Sequence, residues 1–527
     1  AWFAIMGALL LFGCMNECHA ATKYVKASGG STSYSAGSDS STAITLATFN
    51  TNAVSGDVAL LLGGNYGSQR IQPVANGLTY RGLSGNPNDV TLGQLAEDGS
   101  RADSLVTVKY VTLVGNFSLS SSGGLAKWVV VKCSVPSGTF VLGNVRDSKF
   151  DSLTVTYSGA TGAFFDANAY GSDSTRATRR DTISNSSFLL TGAQAAASTA
   201  IHHFSGYDNL YDRCRFNTNT AAVAGGQARW VRMNYTMRGE MRDCYLFEHS
   251  NYTTDGDEAG VFTFKDGVKL FRMVRDTIII RGNSHGSTMP WILFGQNESD
   301  GNPSFWMEGI GGNKFIDCYV RNMTDATWGI GWVYGGFDGD SVIGNTFVAK
   351  NGSIQTYLTR GSSSAYDYVM GTDTYMEHNL FATFASGERS FYVNSGAAHQ
   401  GLRMKANIFY APSLTDADTT SVRPAHFGTA SDWGTVAVGP VYSDSNLFYA
   451  PSVTTKRLLQ WSGGSSAPGM APWRTTRAPL TLDQNSRVAA ATFVISAIDS
   501  FDAHPLVGSA ANVGPNNYVG PFPYNTP

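Results

Sequence analysis

The tripeptide pattern that decides the fold, Asn-Xaa-Phe, occurs four times between residues 345 and 448. It reads Asn345-Thr346-Phe347, Asn379-Leu380-Phe381, Asn407-Ile408-Phe409 and Asn446-Leu447-Phe448. The first three copies are 34 and 28 residues apart, as their positions 345, 379 and 407 show. Self-similarity at a loose period of about 20 to 50 residues is typical of a solenoid, in which each repeat is one coil.

The same pattern continues upstream, where three of the copies have cysteine in place of asparagine. The copies are Asn185-Ser-Ser-Phe188, Cys214-Arg-Phe216, Cys244-Tyr-Leu246 and Cys318-Tyr-Val320, and Thr277-Ile278-Ile279 fills the long gap before residue 318. These short β-branched and aromatic runs carry no helical periodicity, so they predict strands. Stacked coils would bond their asparagines in a ladder and pack their Phe, Val and Ile side chains in a column.

The sequence therefore predicts an all-β fold, a single-stranded right-handed parallel β-helix with an irregular C-terminal closing segment. We expect a signal peptide or hydrophobic segment over residues 1–20, the β-helix over 21–450 and the closing segment over 451–527. A solenoid explains why 527 residues need no second core, because such a core grows lengthwise.

The first twenty residues contain an apolar run that ends in Cys18-His19-Ala20, a small-residue pattern typical of signal cleavage. We expect cleavage after Ala20 and a secreted, extracellular or cell-surface protein. Two alternatives stay open, namely a lipidated Cys14 and a retained hydrophobic anchor.

Four further cysteines lie in similar strand-like contexts, at Cys133, Cys214, Cys244 and Cys318. Their even number in an exported chain also fits two disulfides. Because equivalent positions of stacked coils line up inside the core, we expect free, buried thiols instead.

A net charge of −3 and an isoelectric point near 6.3 disfavour a protein that binds polyanions through bulk charge. We therefore expect no nucleic acid partner. An acidic ligand would need a local basic site.

Both ends of the chain resemble the secreted right-handed parallel β-helix superfamily, the pectate-lyase-like proteins. The opening run Lys23-Tyr24-Val25, the stretch from Ser55 to Tyr66, and the closing run from His504 to Ser509 carry this resemblance. In layout the chain is most similar to chondroitinase B and the alginate lyases of polysaccharide lyase family 6. The resemblance implies an extracellular polysaccharide as partner.

The family places acidic calcium ligands just before a lysine base on one coil, with an arginine on the next coil. The resemblance implies Asp255, Asp257 and Glu258 as calcium ligands and Lys265 as the base, with Arg281 as a second catalytic candidate. At the family's arginine position this chain has Phe294, which predicts slow or absent elimination. The plainer alternative is a solvated acidic loop followed by a surface lysine.

Candidate sugar-binding residues are of two kinds. Arginines can hold a carboxylate or sulfate through two parallel hydrogen bonds, and indole rings can stack on sugars. The candidates are Arg272, Arg275, Arg281, Trp291, Trp328 and Trp332. Scattered surface arginines and an aromatic core column are the alternatives. His202 and His203 share a strand-like run without metal-ligand spacing, so we expect core or loop histidines.

Three functions remain compatible with the sequence. The first is a protein that acts on or binds an acidic extracellular polysaccharide, as a degenerate lyase. The second is a purely binding or adhesive β-helix. The third is a structural protein that self-associates into an oligomer or a surface fibre.

Overall fold

The computed structural model describes a set of segments that together cover the coils. They are residues 20–96, 105–115, 117–120, 127–136, 140–143, 145–157, 165–168, 178–191, 199–218, 229–248, 260–265, 270–281, 291–296, 312–323, 330–332, 339–352, 354–357, 375–386, 390–394, 403–415, 425–427, 442–451, 459–461, 466–467, 483–495, 497–498, 501–506, 509–511 and 520–521. The predicted signal segment, Cys14 and the cleavage site after Ala20 fall on residues before this range or at its edge, so they stay predictions.

Three long sheets of stacked strands make up the fold, and strands from successive coils are hydrogen-bonded neighbours in each sheet. Apart from one strand near the carboxyl end, the pairing within these sheets is parallel. Each coil contributes one strand to each sheet in turn. The predicted parallel β-helix is thereby confirmed, and connections between parallel strands are almost always right-handed.

The order of strands within each sheet follows the axis of the solenoid. Sheet 1 contains Ile44–Thr45, Thr22–Lys26, Val58–Leu61, Leu78–Gly82, Leu105–Lys109, Lys127–Val131, Lys149–Asp151, Thr182–Ser184, Leu210–Asp212, Glu240–Arg242, Arg272–Val274, Lys314–Ile316, Ser341–Ile343, Tyr375–Glu377, Arg403–Lys405 and Tyr442–Asp444. Sheet 2 contains Gly64–Asn65, Val90–Leu92, Thr112–Leu113, Ser134–Val135, Thr154–Tyr157, Ser187–Leu190, Arg215–Thr218, Tyr245–Glu248, Thr277–Ile280, Tyr319–Asn322, Thr346–Ala349, Leu380–Thr383, Ile408–Tyr410, Leu447–Tyr449 and Arg487–Val488. Sheet 3 contains Arg70–Ile71, Gln94–Ala96, Phe117–Ser120, Phe140–Gly143, Phe165–Asn168, Thr199–Tyr207, Arg229–Met237, Gly260–Lys265, Trp291–Gln296, Ile330–Trp332, Ile354–Tyr357, Phe391–Asn394, Ala425–Phe427, Leu459–Trp461 and Ser466–Ala467, with Thr178–Arg179 paired beside it.

A short helix, Leu46–Asn52, follows the edge strand of sheet 1. Thr45 caps it, because its side-chain oxygen accepts a hydrogen bond from the Thr48 backbone N–H. Phe49 is fully buried and packs edge-to-face on Tyr80, with ring centroids 5.3 Å apart. A 3₁₀ turn, Pro87–Asp89, precedes a strand of sheet 2.

The corner from sheet 1 to sheet 2 repeats one conformation from coil to coil. A residue with positive φ, such as Arg213, Asp243 or Arg275, is followed by a buried residue. We call this buried row the corner ladder; its members are Ser186, Cys214, Cys244, Asp276, Cys318, Asn345, Asn379, Asn407, Asn446 and Ser486. A left-handed conformation costs a non-glycine residue about 1–2 kcal/mol, so the corner needs compensating bonds.

Those bonds run from the backbone of one coil to the side chain of the next. The backbone N–H of Asn345 donates to Asn379 Oδ1 at 3.0 Å, and the N–H of Asn379 donates to Asn407 Oδ1 at 3.0 Å. Asn407 continues the series to Asn446 at 2.9 Å. Each Nδ2 amide also donates to the next Oδ1, which confirms the predicted asparagine ladder.

An aromatic column fills the core beside the ladder. Phe347, Phe381, Phe409 and Phe448 are buried and stack in turn at centroid distances of 5.5, 5.5 and 4.9 Å. The predicted phenylalanine column is confirmed, and it places a wall of apolar surface behind the ladder.

All four described cysteines are free and buried, as predicted. Cys214 Sγ donates to the Ile183 carbonyl at 3.4 Å, and Cys244 Sγ accepts the Cys214 backbone N–H at 3.4 Å. Burial raises the pKa of the Cys133 thiol to about 12. These thiols are therefore structural members of the stack and poor nucleophiles at neutral pH.

The carboxyl-terminal segment covers part of the outer face of sheet 2. Phe493 and Phe501 pack on Tyr410 at centroid distances of 5.1 and 6.2 Å. Tyr319 donates its hydroxyl to the Phe501 carbonyl at 3.4 Å, and Arg321 donates to the Ile498 carbonyl. Parallel pairing itself runs past residue 450, since Leu459–Trp461 and Arg487–Val488 extend sheets 3 and 2.

Among the described residues, no helix has the length and apolar character needed to cross a membrane.

Asp276 is the acidic member of the corner ladder. Its Oδ1 accepts the Cys244 backbone N–H at 2.8 Å, whereas its buried Oδ2 has no hydrogen-bond partner among the described residues. Burial raises the pKa of this carboxyl well above its ordinary value. At the equivalent position of the coil that holds Asn345, the side-chain amide donates to the Phe315 carbonyl. An asparagine would therefore fit the site as well as the acid does.

We predict that Asp276→Asn raises the free energy of unfolding at pH 7 by about 1–3 kcal/mol, the typical cost of a buried group without a partner. The native state holds its proton to higher pH than the unfolded chain does, so the wild type loses stability as pH rises above the unfolded pKa. The extra stability of Asp276→Asn over the wild type should therefore shrink as pH falls toward 4. Denaturant unfolding at a series of pH values measures this difference.

Asp243→Asn is the matched control. The Asp243 carboxylate binds Arg275, and this hydrogen bond lowers its pKa, so its stabilisation is lost as pH falls. Its substitution should lower stability slightly at pH 7. Equal pH dependence in the two variants would contradict the assignment of Asp276 as a buried neutral acid.

Candidate functional site

Lys265 ends a strand of sheet 3, Gly260–Lys265, for which the structure describes the backbone and its register. Its register partner on the preceding coil is Asn234, and its partner on the following coil is Gln296. Neighbouring strands are about 4.8 Å apart. The register therefore aligns Asn234, Lys265 and Gln296 on three successive coils.

The face of these positions follows from strand alternation. Phe262, on the same strand, pairs with Val231 and Ile292. Their column runs back through successive coils to Leu95, which is buried. Because successive residues of a strand alternate between the two sides of a sheet, the position of Lys265 alternates with that of Phe262.

A second column of register partners lies beside the one that contains Lys265. The register pairs Asp166 with His202, His202 with Arg232, and Arg232 with Thr263. A carboxylate, an imidazole and a guanidinium thus occupy consecutive coils, two residues along the strand from Asn234 and Lys265. His202 lies in the strand Thr199–Tyr207, and its predicted core or loop role remains a prediction.

The coil after Lys265 is irregular. Thr263 pairs with Leu293, but Lys265 pairs with Gln296, so the register shifts between these two positions. Phe294 therefore lies within the irregularity, and the strand partner of Lys265 is Gln296. An amide, which the spacing of the motif did not predict, thus lies close to the expected arginine position.

The predicted metal ligands Asp255, Asp257 and Glu258 lie outside the described residues, as does Trp328. Residues 249–259, which carry the acids, connect Tyr245–Glu248 of sheet 2 with Gly260–Lys265 of sheet 3. In the part of the chain that the structure describes, no group of three or more His, Cys, Asp or Glu side chains could hold a metal ion. The calcium site remains a prediction.

The three predicted arginines lie away from the strand of Lys265. Arg272 is in sheet 1 and contacts Glu240 at 3.1 Å. Arg275 is at the corner and binds Asp243 through two hydrogen bonds of 2.7 Å.

Arg281 follows a sheet 2 strand, and its guanidinium lies 5.9 Å from the centroid of the Phe247 ring. The structure therefore puts these arginines on sheets 1 and 2 and on their shared corner. The predicted pairing of Arg281 with Lys265 in catalysis, and the sugar contacts of Arg272 and Arg275, stay predictions.

Of the three predicted sugar-binding tryptophans, the structure describes Trp291 and Trp332, and these two lie in different columns of the strand register. Trp332 pairs with Ile292 and thus lies in the column that leads to the buried Leu95. Trp291 pairs with Gly331, at the alternate position. The roles of Trp291 and Trp332 in sugar binding stay predictions.

Reasoning from the sequence missed Asn234, Gln296 and Arg232 as neighbours of Lys265. The signal that could have found them was the repeat itself, because the interval from 234 to 265 is 31 residues and that from 265 to 296 is also 31. Those intervals match the 30-residue spacing of Cys214 and Cys244. The loops between sheets 2 and 3 on these coils, residues 219–228, 249–259 and 281–290, are of similar length, so the interval stays nearly constant.

No family model matches this sequence, and no curated protein is a significant relative. Solved structures that resemble the chain include a rhamnogalacturonan lyase, with 12% identity, a TM-score of 0.25, and coverage of 69% of this chain and 82% of that one. A polysaccharide lyase of family 6 from Pseudopedobacter saltans has 12% identity and a TM-score of 0.31, and the match covers 92% of this chain and 96% of that one. At these TM-scores the likeness carries no argument about activity, and the fold assignment follows from the strand register.

We predict that Asn234→Cys combined with Lys265→Cys forms a disulfide on mild oxidation. Paired positions of adjacent strands are about 4.8 Å apart, within the range of about 4.4–6.8 Å that a disulfide spans. Peptide mass spectrometry without reduction would detect the cross-linked pair.

Arg232→Cys combined with Lys265→Cys is the control, because an offset of two residues puts these positions about 8 Å apart, beyond the reach of a disulfide. Cross-linking of this pair in preference to the first would show that the register is wrong.

Proposed function

We propose that the protein is a secreted β-helix that binds an acidic extracellular polysaccharide and cleaves it slowly by β-elimination, with Lys265 as the base. The observation that carries the proposal is the register of sheet 3, which aligns Asn234, Lys265 and Gln296 on successive coils beside the column of Arg232. A linear polymer could lie across several coils and meet one residue from each.

The reaction is a β-elimination on a uronate residue. The amine of Lys265, in its neutral form, takes the proton from C5; the electrons of the C5–H bond form a double bond between C4 and C5. The bond from C4 to the glycosidic oxygen breaks with its electron pair on that oxygen, which takes a proton from water. A lysine can serve as a base when desolvation or nearby cations favour its neutral form, and Arg232 is one such cation on the adjacent column.

The carboxylate of the uronate must be neutralised before C5 becomes acidic enough. Asp255, Asp257 and Glu258 offer the hard oxygen ligands that calcium prefers, and Asn234 offers an amide oxygen beside Lys265. Bound calcium would supply the positive charge that stabilises the anion formed at C5.

The slow rate follows from the residues beside the base. Gln296, the partner of Lys265 on the next coil, can donate a hydrogen bond to the leaving oxygen but cannot transfer a proton to it. The ring of Phe294 can do neither of these. Loss of one charge-stabilising donor costs about 10²-fold to 10³-fold in rate.

We predict slow cleavage of alginate, chondroitin sulfate or dermatan sulfate in the presence of calcium. The unsaturated product absorbs in the ultraviolet, which gives the initial rate. Lys265→Ala should remove this activity and Arg232→Ala should lower it at least tenfold. Phe294→Arg and Gln296→Arg, tested separately, should raise it if either position faces the leaving group.

Arg213→Ala is the control, because that exposed residue pairs with Asp212 on the far side of the coil, in the corner between sheets 1 and 2. Turnover that survives Lys265→Ala would overturn the assignment of the base. Purified protein that neither binds nor cleaves any acidic glycan would favour the structural alternative, and solution mass would then be measured for self-association.

A further inference from the structure

Two aromatic side chains lie side by side on the outer face of sheet 2, away from the strand of Lys265. Tyr245 and Phe247 are two residues apart on one strand, and both are half-buried. Their rings are nearly parallel, with an interplanar angle of 7° and centroids 6.3 Å apart. Further along the same sheet, Tyr319 is covered by the carboxyl-terminal segment through Phe501.

A guanidinium group lies over each ring. Arg215, one coil before, is 5.4 Å from the Tyr245 centroid, and Arg281, one coil after, is 5.9 Å from the Phe247 centroid. Both arginines are exposed. We call these four residues the arginine–aromatic platform.

The two platform arginines differ from six other described arginines of the neighbouring coils. Among the residues that the structure describes, neither has an acidic partner. Each of the following does have one: Arg180, Arg213, Arg238, Arg242, Arg272 and Arg275. Those six arginines are thus charge-paired, whereas no acidic side chain within the described part of the chain pairs with either platform arginine.

We propose that the arginine–aromatic platform is a second binding site, which holds an anionic pyranose stretch of a polysaccharide. The ring faces provide apolar surface for the C–H faces of sugar rings. A guanidinium has five N–H donors in one plane, and contact with an aromatic face leaves them free for a carboxylate or sulfate. Aromatic rings and guanidinium groups together on one face of sheet 2 match a polymer whose sugar rings have apolar faces and whose anionic groups are regularly spaced.

The platform is also connected to the proposed active site along the chain. Its strand, Tyr245–Glu248, leads through residues 249–259 into Gly260–Lys265. A polysaccharide held on sheet 2 would therefore be kept near sheet 3, and binding energy from the platform would favour long chains over short ones. This inference rests on the acidic polysaccharide of the proposed function, although not on its cleavage.

The test is the binding of the full-length protein to alginate and chondroitin sulfate chains, measured by isothermal titration calorimetry, with dextran as the neutral comparison. Arg215→Ala should weaken binding of the long anionic chains about tenfold, because a charge-assisted hydrogen bond is lost. Tyr245→Ala combined with Phe247→Ala should weaken it about tenfold as well, because the apolar surface under the sugar rings is lost. Dextran should bind weakly to all variants.

Two matched controls separate the platform from general charge and from catalysis. Arg213→Ala removes the same charge from a paired arginine two residues away, and Tyr442→Ala removes an aromatic ring from sheet 1 that is 40% exposed. Both should bind as the wild type does. Circular dichroism and thermal melting confirm that each variant is folded.

Lys265→Ala distinguishes the two proposals, because it should remove elimination and leave platform binding unchanged. Binding that is unchanged in Arg215→Ala and in the double aromatic variant would overturn the platform, whatever the activity. Binding lost equally in Arg213→Ala and Arg215→Ala would also overturn it, since charge alone would then explain the affinity.

Discussion

The hydrogen bond from a corner backbone N–H to the side chain of the next coil is the interaction on which the rest of the structure depends. A coil closes only if its corner adopts a left-handed conformation, which L-residues disfavour. The buried residue that follows offers a side-chain oxygen or sulfur to the previous coil, as Asn379 does for Asn345 and Cys244 does for Cys214. Each bond is worth only about 0.5–1.5 kcal/mol net, but the bond recurs at most of the described corners from Leu153 to Asn446.

This bond fixes the register as well as the stability. Once the corner of one coil is aligned with the corner of the next, every strand position is aligned too, because a slip of one residue would turn each apolar side chain outward. The corner from sheet 3 to sheet 1 uses the same device, since the Ser148 backbone N–H donates to Asp181 and the Asp181 N–H donates to Asn209. Register partners on successive strands then form columns, and the candidate functional residues lie in such columns. The loops between sheets 2 and 3 can vary without disturbing this alignment.

The fold was predictable because its determinants recur. The Asn-Xaa-Phe copies predicted both the ladder and the phenylalanine column, and the shared context of Cys214, Cys244 and Cys318 predicted free buried thiols. The site was much less predictable. Asn234 and Gln296 each lie 31 residues from Lys265 in the sequence, and no local motif marks either position. Arg272 and Arg275 look like free cations in the sequence, yet acids from the preceding coil bind them.

Hydrogen exchange at the corner amides tests the central claim most directly. Peptides that contain the backbone N–H groups of Asn345, Asn379 and Asn407 would be followed by mass spectrometry under native conditions. If ladder bonds hold the coils in register, these amides should exchange only through cooperative unfolding, as slowly as the most protected strands do. Exchange of these corner amides within seconds, while the flanking strands stay protected, would contradict the account.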